Sequence, residues 1–326
     1  MRAKTIQMNK ISLVFFATPD IALNSFKSLI ADDLFEVKAL VTQPPRPNGR
    51  GKKIIDSKIK LEAIKNNIPV FEPEKISKDE LVIEELKKIN PDFFVTFAFG
   101  QILNQKVLDI PKFETINLHA SLLPKYRGAN PICECLLNGD KKTGVTTMVT
   151  VLELDAGDIC LTKEIDLDIN CNFENLHNQI SDISPNLIKE TLYGLYNKTL
   201  KPTPQDHSNA TFTKKTQKSD KILDFSIDAC SVHNKIRGLC GINTTHFVFN
   251  GKLVKVFKSN LIEKEHSNLA GEVLDVSKNG VLIACKNNAI LIEKVKPEGK
   301  NLMSAYDWSL GSKVKTGDII ECKTEE

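Results

Sequence analysis

The feature that most restricts this chain is the alternation, through its first 200 residues, of short apolar runs with helix-period segments. That pattern is the mark of βα units feeding a mostly parallel sheet. Residues 11–16 read as a buried strand, and Thr18-Pro19-Asp20 as a helix N-cap with proline in the first turn, opening a helix that buries Ile21, Phe26 and Leu29. Further strands are expected at 37–41, 92–97, 114–118, 145–152 and 159–166, and helices at 58–66, 78–89, 131–137 and 174–196, with Pro185 a kink or break in the last. The length of 326 residues suits two domains, and the second differs in kind. Residues 201–218 are rich in Pro, Ser, Thr, Asn and Lys, the composition of a linker. Strand-like runs at 253–257, 271–276, 281–285 and 290–295 follow, separated by Gly, Asn and Ser turns, and imply a small β-rich barrel or sandwich. The fold class is α/β: a Rossmann-like, mostly parallel sheet domain over 1–200, a linker over 201–218 and a β domain over 219–326.

Composition removes several function classes. Hydrophobic residues make up 41% and charged residues 26%, ordinary for a globular protein and unlike a fibrous or disordered one. No run approaches 18 apolar residues, and residues 1–12 carry Arg2, Lys4 and Lys10 without an apolar core or cleavage site, so the expected location is the cytoplasm, with no membrane partner. The eight cysteines contain no C-x-x-C pair, and the six histidines no H-E-x-x-H spacing. The cysteines read as reduced small hydrophobes, and no metal site is expected. Residues 201–326 hold 19 Lys and Arg against 15 Asp and Glu, a mild excess that a solvated lysine-rich surface also explains.

The familiar cradles and elbows are missing. No G-x-G-x-x-G, G-x-x-x-x-G-K-[ST] or G-x-S-x-G follows a strand, which disfavours a dinucleotide site, a P-loop and an α/β-hydrolase serine. What stands out is residues 116–131, Ile-Asn-Leu-His-Ala-Ser-Leu-Leu-Pro-Lys-Tyr-Arg-Gly-Ala-Asn-Pro. On a strand, Asn117 and His119 are two apart and share a face, so a carboxamide and an imidazole converge at its carboxyl end, where open α/β sheets place ligands. An edge polar pair before a turn would read the same. Residues 152–158, Leu-Glu-Leu-Asp-Ala-Gly-Asp, put Asp155 in a turn between two strands, a place that favours Asp for structural reasons too. Taken together, Asn117, His119 and Asp155 suit acyl transfer to an amine. The tetrahedral oxyanion needs fixed donors, and protons must leave the attacking nitrogen and reach the leaving one. Residues 42–53 hold Arg46, Arg50, Lys52 and Lys53 and no acid, with Pro and Gly opposing a helix. Such a segment is either a solvated loop or a set of phosphate contacts beside the site.

With these segments in view, the chain resembles the methionyl-tRNA formyltransferase family of the folate-dependent formyltransferase superfamily. The resemblance runs through residues 16–20, the 43–53 loop, 117–131, Gly144-Val145-Thr146, 154–158, and Tyr306 and Asp307. It implies that Asn117, His119 and Asp155 are the catalytic trio moving a formyl group from 10-formyltetrahydrofolate to the methionine amino group on initiator tRNA. It also implies that Ser121, Leu122, Leu123 and Pro124 line the folate site, and that the Phe99-Gly100-Gln101-Ile102 turn and the 152–158 loop close over the pterin. Arg46, Arg50, Lys52 and Lys53 would enter the tRNA acceptor end, and an OB-like C-terminal barrel would hold the acceptor arm. No DNA partner is implied. Three positions depart from the family pattern: Ala17 for glycine before Thr-Pro, Asn104 for a proline after Ile-Leu, expected to loosen the folate-side loop, and Cys240-Gly241-Ile242-Asn243 for a Pro-Trp-Pro-like stretch. Two rivals remain: a formyltransferase acting on a small amine such as an amino sugar or glycinamide nucleotide, and a catalytically silent RNA-binding protein.

Overall fold

The structure, a computed structural model, describes residues 10–48 and 53–321, and only the backbone of residues 47, 48, 53 and 54. By packing, the chain forms two units. The first comprises 1–128, 144–165 and 178–212, and the second 129–143, 166–177 and 213–326.

The first unit is built on seven strands: β1 (Ile11–Ala17), β2 (Phe35–Val41), β3 (Val70–Phe71), β4 (Phe93–Phe97), β5 (Thr115–His119), β6 (Lys142–Val149) and β7 (Ile159–Asp166). Their order in the sheet is β7-β6-β5-β4-β1-β2-β3. The pairs β1–β2, β1–β4, β2–β3 and β4–β5 are parallel, and β5–β6 is antiparallel. β1 is central and carries the run Ile-Ser-Leu-Val-Phe-Phe-Ala, all but Ser12 fully buried, because both of its faces are covered. The chain passes from β1 to β2 on one side and reaches β4 on the other. The strand order therefore reverses beside β1, and the carboxyl ends of the strands at such a reversal are where open α/β sheets place their ligands.

Two sequence expectations are corrected here. Thr18 caps no helix: a short 3-10 turn at Asp20–Ala22 precedes α1 (Leu23–Ile30), and the Thr18 hydroxyl instead accepts from the Gln43 backbone N–H at 3.1 Å. Pro185 does not break its helix, since α5 (Phe173–Tyr196) runs unbroken through it. An interior proline removes its own N–H bond and crowds the carbonyl four residues back, and the buried face of α5, including Leu176, Ile180, Ile188 and Leu192, keeps the helix continuous across that gap. Before α5 come α2 (Lys58–Lys65), α3 (Glu80–Ile89) and α4 (Pro131–Leu137). The 201–218 stretch is firmly packed in part: Thr203 and Ile159 exchange backbone hydrogen bonds at 2.8 Å, and Gln205 is 5% exposed.

The second unit holds β8 (His246–Phe249), β9 (Lys252–Ile262), β10 (Val273–Ser277), β11 (Gly280–Ala284) and β12 (Ala289–Pro297), in the order β8-β9-β12-β11-β10 with antiparallel pairing. The segment 318–321 bonds both edges. Ile320 N–H donates to Gly271 O and Val273 N–H to Asp318 O, while Val248 and Glu321 exchange bonds on the other side. The sheet thereby closes on itself, which removes its open edges. Inside lie Phe247, Val256, Ile283 and Ile292, with Trp308 edge-on to Phe247 and Phe249. Trp308 comes from α7 (Ala305–Ser312), and α6 (Ala229–Leu239) buries Val232 and Ile236 in the same core.

The seven described cysteines are free. Burial pushes the thiols of Cys133 and Cys135 on α4, and of Cys160 on β7, up to about 12. Among the described residues no helix is long and apolar enough to cross a membrane.

Asp92 ties the start of β4 to β1. Its Oδ2 accepts from the Ser12 N–H at 2.8 Å and the Ser12 hydroxyl at 2.7 Å, and Lys112 Nζ lies 3.1 Å from Oδ1. Burial raises the Asp92 carboxyl pKa, but the Ser12 hydrogen bonds and Lys112 outweigh it, so the net shift is downward. A depressed folded-state pKa gives stability that is complete above the unfolded value of about 4 and is lost as pH falls through the lower folded value. Asp92→Asn is expected to cost about 1–3 kcal/mol at pH 7. Urea melts at pH 7 and below pH 4 should show that cost shrinking toward acid; an undiminished difference contradicts the assignment.

Candidate active site

β5 delivers two of the candidate residues. Asn117 pairs across the backbone with Thr96 on β4 and Met148 on β6, so its side chain sits between two strands that cannot shift register without exposing core. The Thr96 hydroxyl donates to Asn117 Oδ1 at 2.8 Å, which orients the carboxamide and leaves its Nδ2 protons as the outward donors. His119, at the carboxyl end of the strand, is 5% exposed. Its Nε2 lies 2.9 Å from Tyr126 O and so carries a proton, and its Nδ1 faces Asp155 Oδ2 at 3.6 Å.

Asp155 arrives from the opposite direction. β6 is antiparallel to β5 and ends beside its start, where Thr150 N–H donates to Thr115 O at 2.7 Å. The loop that follows doubles back toward His119. Asp158 O returns to accept from Val149 N–H at 2.9 Å, and between these anchors Asp155 sits in a left-handed conformation, φ +49°. Its Oδ2 accepts from Gly128 N–H at 2.7 Å, which aims the carboxylate at the imidazole. Gly157 is required by this return, because a Cβ there would overlap the Val149 carbonyl oxygen. Tyr126, at φ +64°, turns its carbonyl toward His119. Two left-handed non-glycine residues holding one histidine is the kind of local strain that collects at functional sites. The arrangement can donate hydrogen bonds from Asn117 Nδ2, hold a positive charge on the imidazole and pass protons between His119 and Asp155.

The other sequence candidates divide. Ser121 is fully buried, with its hydroxyl donating to Lys125 O at 2.6 Å and its carbonyl accepting from Thr146 Oγ1 at 2.7 Å. It braces the turn. Leu123 is buried, Leu122 and Pro124 half-buried. Phe99 faces inward, its ring T-shaped against Phe16 at 5.4 Å. Its carbonyl accepts from Gln43 Nε2 at 2.7 Å, and Gly100, at φ +78°, has the left-handed backbone that favours glycine, with any Cβ there meeting that amide nitrogen. Ile102, Leu152 and Leu154 are exposed at 79%, 61% and 56%. Asn104 does not loosen its loop: it caps the short helix Gln105–Leu108, accepting from Val107 N–H, and donates to Ser77 O at 3.2 Å, two bonds that a proline side chain could not make. Arg46 is exposed, at the start of a short antiparallel ladder between Pro47–Asn48 and Lys53–Ile54. Arg50 and Lys52 lie outside the described residues, and of Lys53 only the backbone is described. Thr96, Tyr126 and Gly128 were missed from sequence. Only the strand register and the two left-handed turns reveal them.

The formyl transferase profile matches residues 10–192, and the formyl transferase C-terminal domain profile matches residues 215–313. A methionyl-tRNA formyltransferase of Clostridium botulinum is 42% identical over 90% of this chain and 94% of its own length, and one of Clostridioides difficile is 38% identical over 95% and 100%. A crystal structure of a sugar 3N-formyl transferase, WlaRD, in the presence of dTDP and 5-N-formyl-THF, is similar in fold with a TM-score of 0.66, at 20% identity over 90% of this chain and all of that one. The chain belongs to the formyl transferases, in the family of the methionyl-tRNA formyltransferases.

Gly157→Ala is expected to cost about 1–3 kcal/mol by overpacking and to lower the melting temperature by several degrees. A thermal melt equal to that of the parent would mean the Asp155 return is not as tightly constrained as described.

Proposed function

We propose that this protein transfers the formyl group of 10-formyltetrahydrofolate to the amino group of methionyl initiator tRNA, in the cytoplasm, for the start of translation. The observation that carries the reading is the meeting of Asn117, His119 and Asp155 at one strand end, with His119 Nδ1 3.6 Å from Asp155 Oδ2, in a chain 42% identical to a methionyl-tRNA formyltransferase. No covalent enzyme intermediate is needed. As the methionine nitrogen bonds to the formyl carbon, the carbonyl electrons move onto oxygen, and Asn117 Nδ2 and the His119 imidazolium donate to that oxyanion. With Nε2 occupied by Tyr126 O, Nδ1 is the ring atom left for proton traffic, and Asp155 beside it stabilises the cation. One proton leaves the attacking nitrogen through this pair and one reaches the folate nitrogen as its bond to the formyl carbon breaks, so the site ends as it began.

For the folate, the supporting feature is the exposure of the apolar side chains Ile102, Leu152 and Leu154, surface that a flat pterin would cover; Phe99, Gly100, Ser121, Leu122, Leu123 and Pro124 are assigned to the same site. For the tRNA, Arg46 with Arg50, Lys52 and Lys53 gives a basic loop suited to phosphate contacts at the acceptor end. The division of labour is a catalytic part over 1–200 and a tRNA-holding part over 219–326.

The direct test is incubation with 10-formyltetrahydrofolate and methionyl initiator tRNA, methionyl elongator tRNA or an amino sugar nucleotide, scoring which acceptor gains the mass of one formyl group. Initiator tRNA is expected to dominate; formylation of the sugar nucleotide alone would replace this reading with the small-amine one. His119→Ala and Asp155→Asn should each lower kcat by about 10²–10⁴-fold with folate affinity nearly unchanged. Near-normal turnover in either undoes the mechanism. Arg46→Ala should narrow the preference for initiator over elongator tRNA more than it lowers kcat, and competition between the two tRNAs measures this.

A further inference from the structure

We propose that Gln205, in the stretch whose composition reads as linker, is a positioning residue for the transfer reaction, holding the Asp155 turn to the buried guanidinium of Arg127. The proposal rests on the catalytic role given above to Asp155 and His119. Gln205 uses both polar atoms of its side chain. Its Nε2 donates to Asp155 O at 2.9 Å and to Gly157 O at 2.6 Å, and its Oε1 accepts from Arg127 Nε at 3.2 Å and Nη2 at 2.7 Å. A carboxamide can give two hydrogen bonds from its nitrogen in one direction and receive two at its oxygen from the other.

The environment makes this choice informative. Arg127 is 1% exposed, with Nη2 3.2 Å from His207 Nδ1, Phe212 6.0 Å from its guanidinium carbon and Glu153 Oε1 3.7 Å from Nη1. A buried cation is best satisfied by a carboxylate at bonding distance, and a glutamate at 205 would supply one. The residue present gives up that charge pairing and gains two donors toward the carbonyls that bracket Ala156. Fixing the carbonyls on either side of Ala156 fixes the turn that holds the left-handed Asp155, and with it the carboxylate beside His119. The same strap serves the facing arm. Thr211 Oγ1 accepts from Tyr126 N–H and Thr211 O from Arg127 N–H, both at 2.8 Å, and Tyr126 O holds His119 Nε2. Residues 205–211 thus suspend both partners of the His119–Asp155 meeting.

The test compares Gln205→Met, which keeps length without donors, and Gln205→Glu, which keeps the Arg127 partner and loses both donations. Each is measured alone and in the Asp155→Asn background, with folding checked by near-ultraviolet circular dichroism. Alone, each should lower kcat about 10–100-fold with KM for folate and tRNA within about threefold, the cost of misplacing one group by a fraction of an ångström. In the Asp155→Asn background the further loss should be under about threefold, because residues acting through one another are not additive. An equal loss in both backgrounds, a loss confined to KM, or full turnover in the folded variants overturns the proposal. Gln205→Glu carries the test if Gln205→Met fails to fold. If Asp155→Asn alone keeps the parental rate, it is the catalytic reading that falls; if Asp155→Asn is slow and the Gln205 variants are not, the positioning role alone falls.

Discussion

The antiparallel entry of β6 against β5 is the constraint on which the site depends. A sheet whose strands all ran parallel would bring each following loop out at the same end, and Asp155 would leave β6 on the site side without a return. Because β6 runs the other way, the loop after it begins at the far end and must climb back, and Gly157, the left-handed Asp155 and the Val149–Asp158 hydrogen bond are the means of that climb. The apolar register of β5, with Ile116 and Leu118 buried, keeps Asn117 and His119 on the other face, so a core requirement decides which polar groups meet.

The site is hydrogen-bonded far beyond its three candidate residues. Thr96 orients Asn117, Tyr126 O fixes the His119 tautomer, and Gly128 N–H aims Asp155. Each catalytic candidate is held by one backbone or hydroxyl group, which leaves a single free polar edge per side chain. Preorganisation of that kind places the energetic cost of orientation in folding and not in the reaction step.

Much of this was legible in the sequence, and the reasons differ from element to element. β1 and β4 announce themselves as apolar runs because their neighbours bury both faces. The pair Asn117 and His119 follows from the two-residue period of a strand. Helices α6 and α7 were not anticipated: α6 mixes buried Asn234 and Arg237 with its apolar residues, and α7 is only eight residues long. Thr18 was misread as a cap because the Thr-Pro-Asp pattern is local, whereas its actual partner at Gln43 depends on how β1 and β2 align. Gln205 gave no signal at all, since what it holds are backbone carbonyls, and those are present at every position of any chain.

The buried thiols have a practical consequence. With pKa values near 12, Cys133, Cys135 and Cys160 present almost no thiolate at neutral pH and are closed to reagents while the protein is folded. Alkylation can therefore proceed only through transient opening, and its rate becomes a clock. Cys160 times excursions of the β7 edge and Cys133 and Cys135 those of helix α4, so mass spectrometry of labelled peptides can follow the two units independently without any introduced probe.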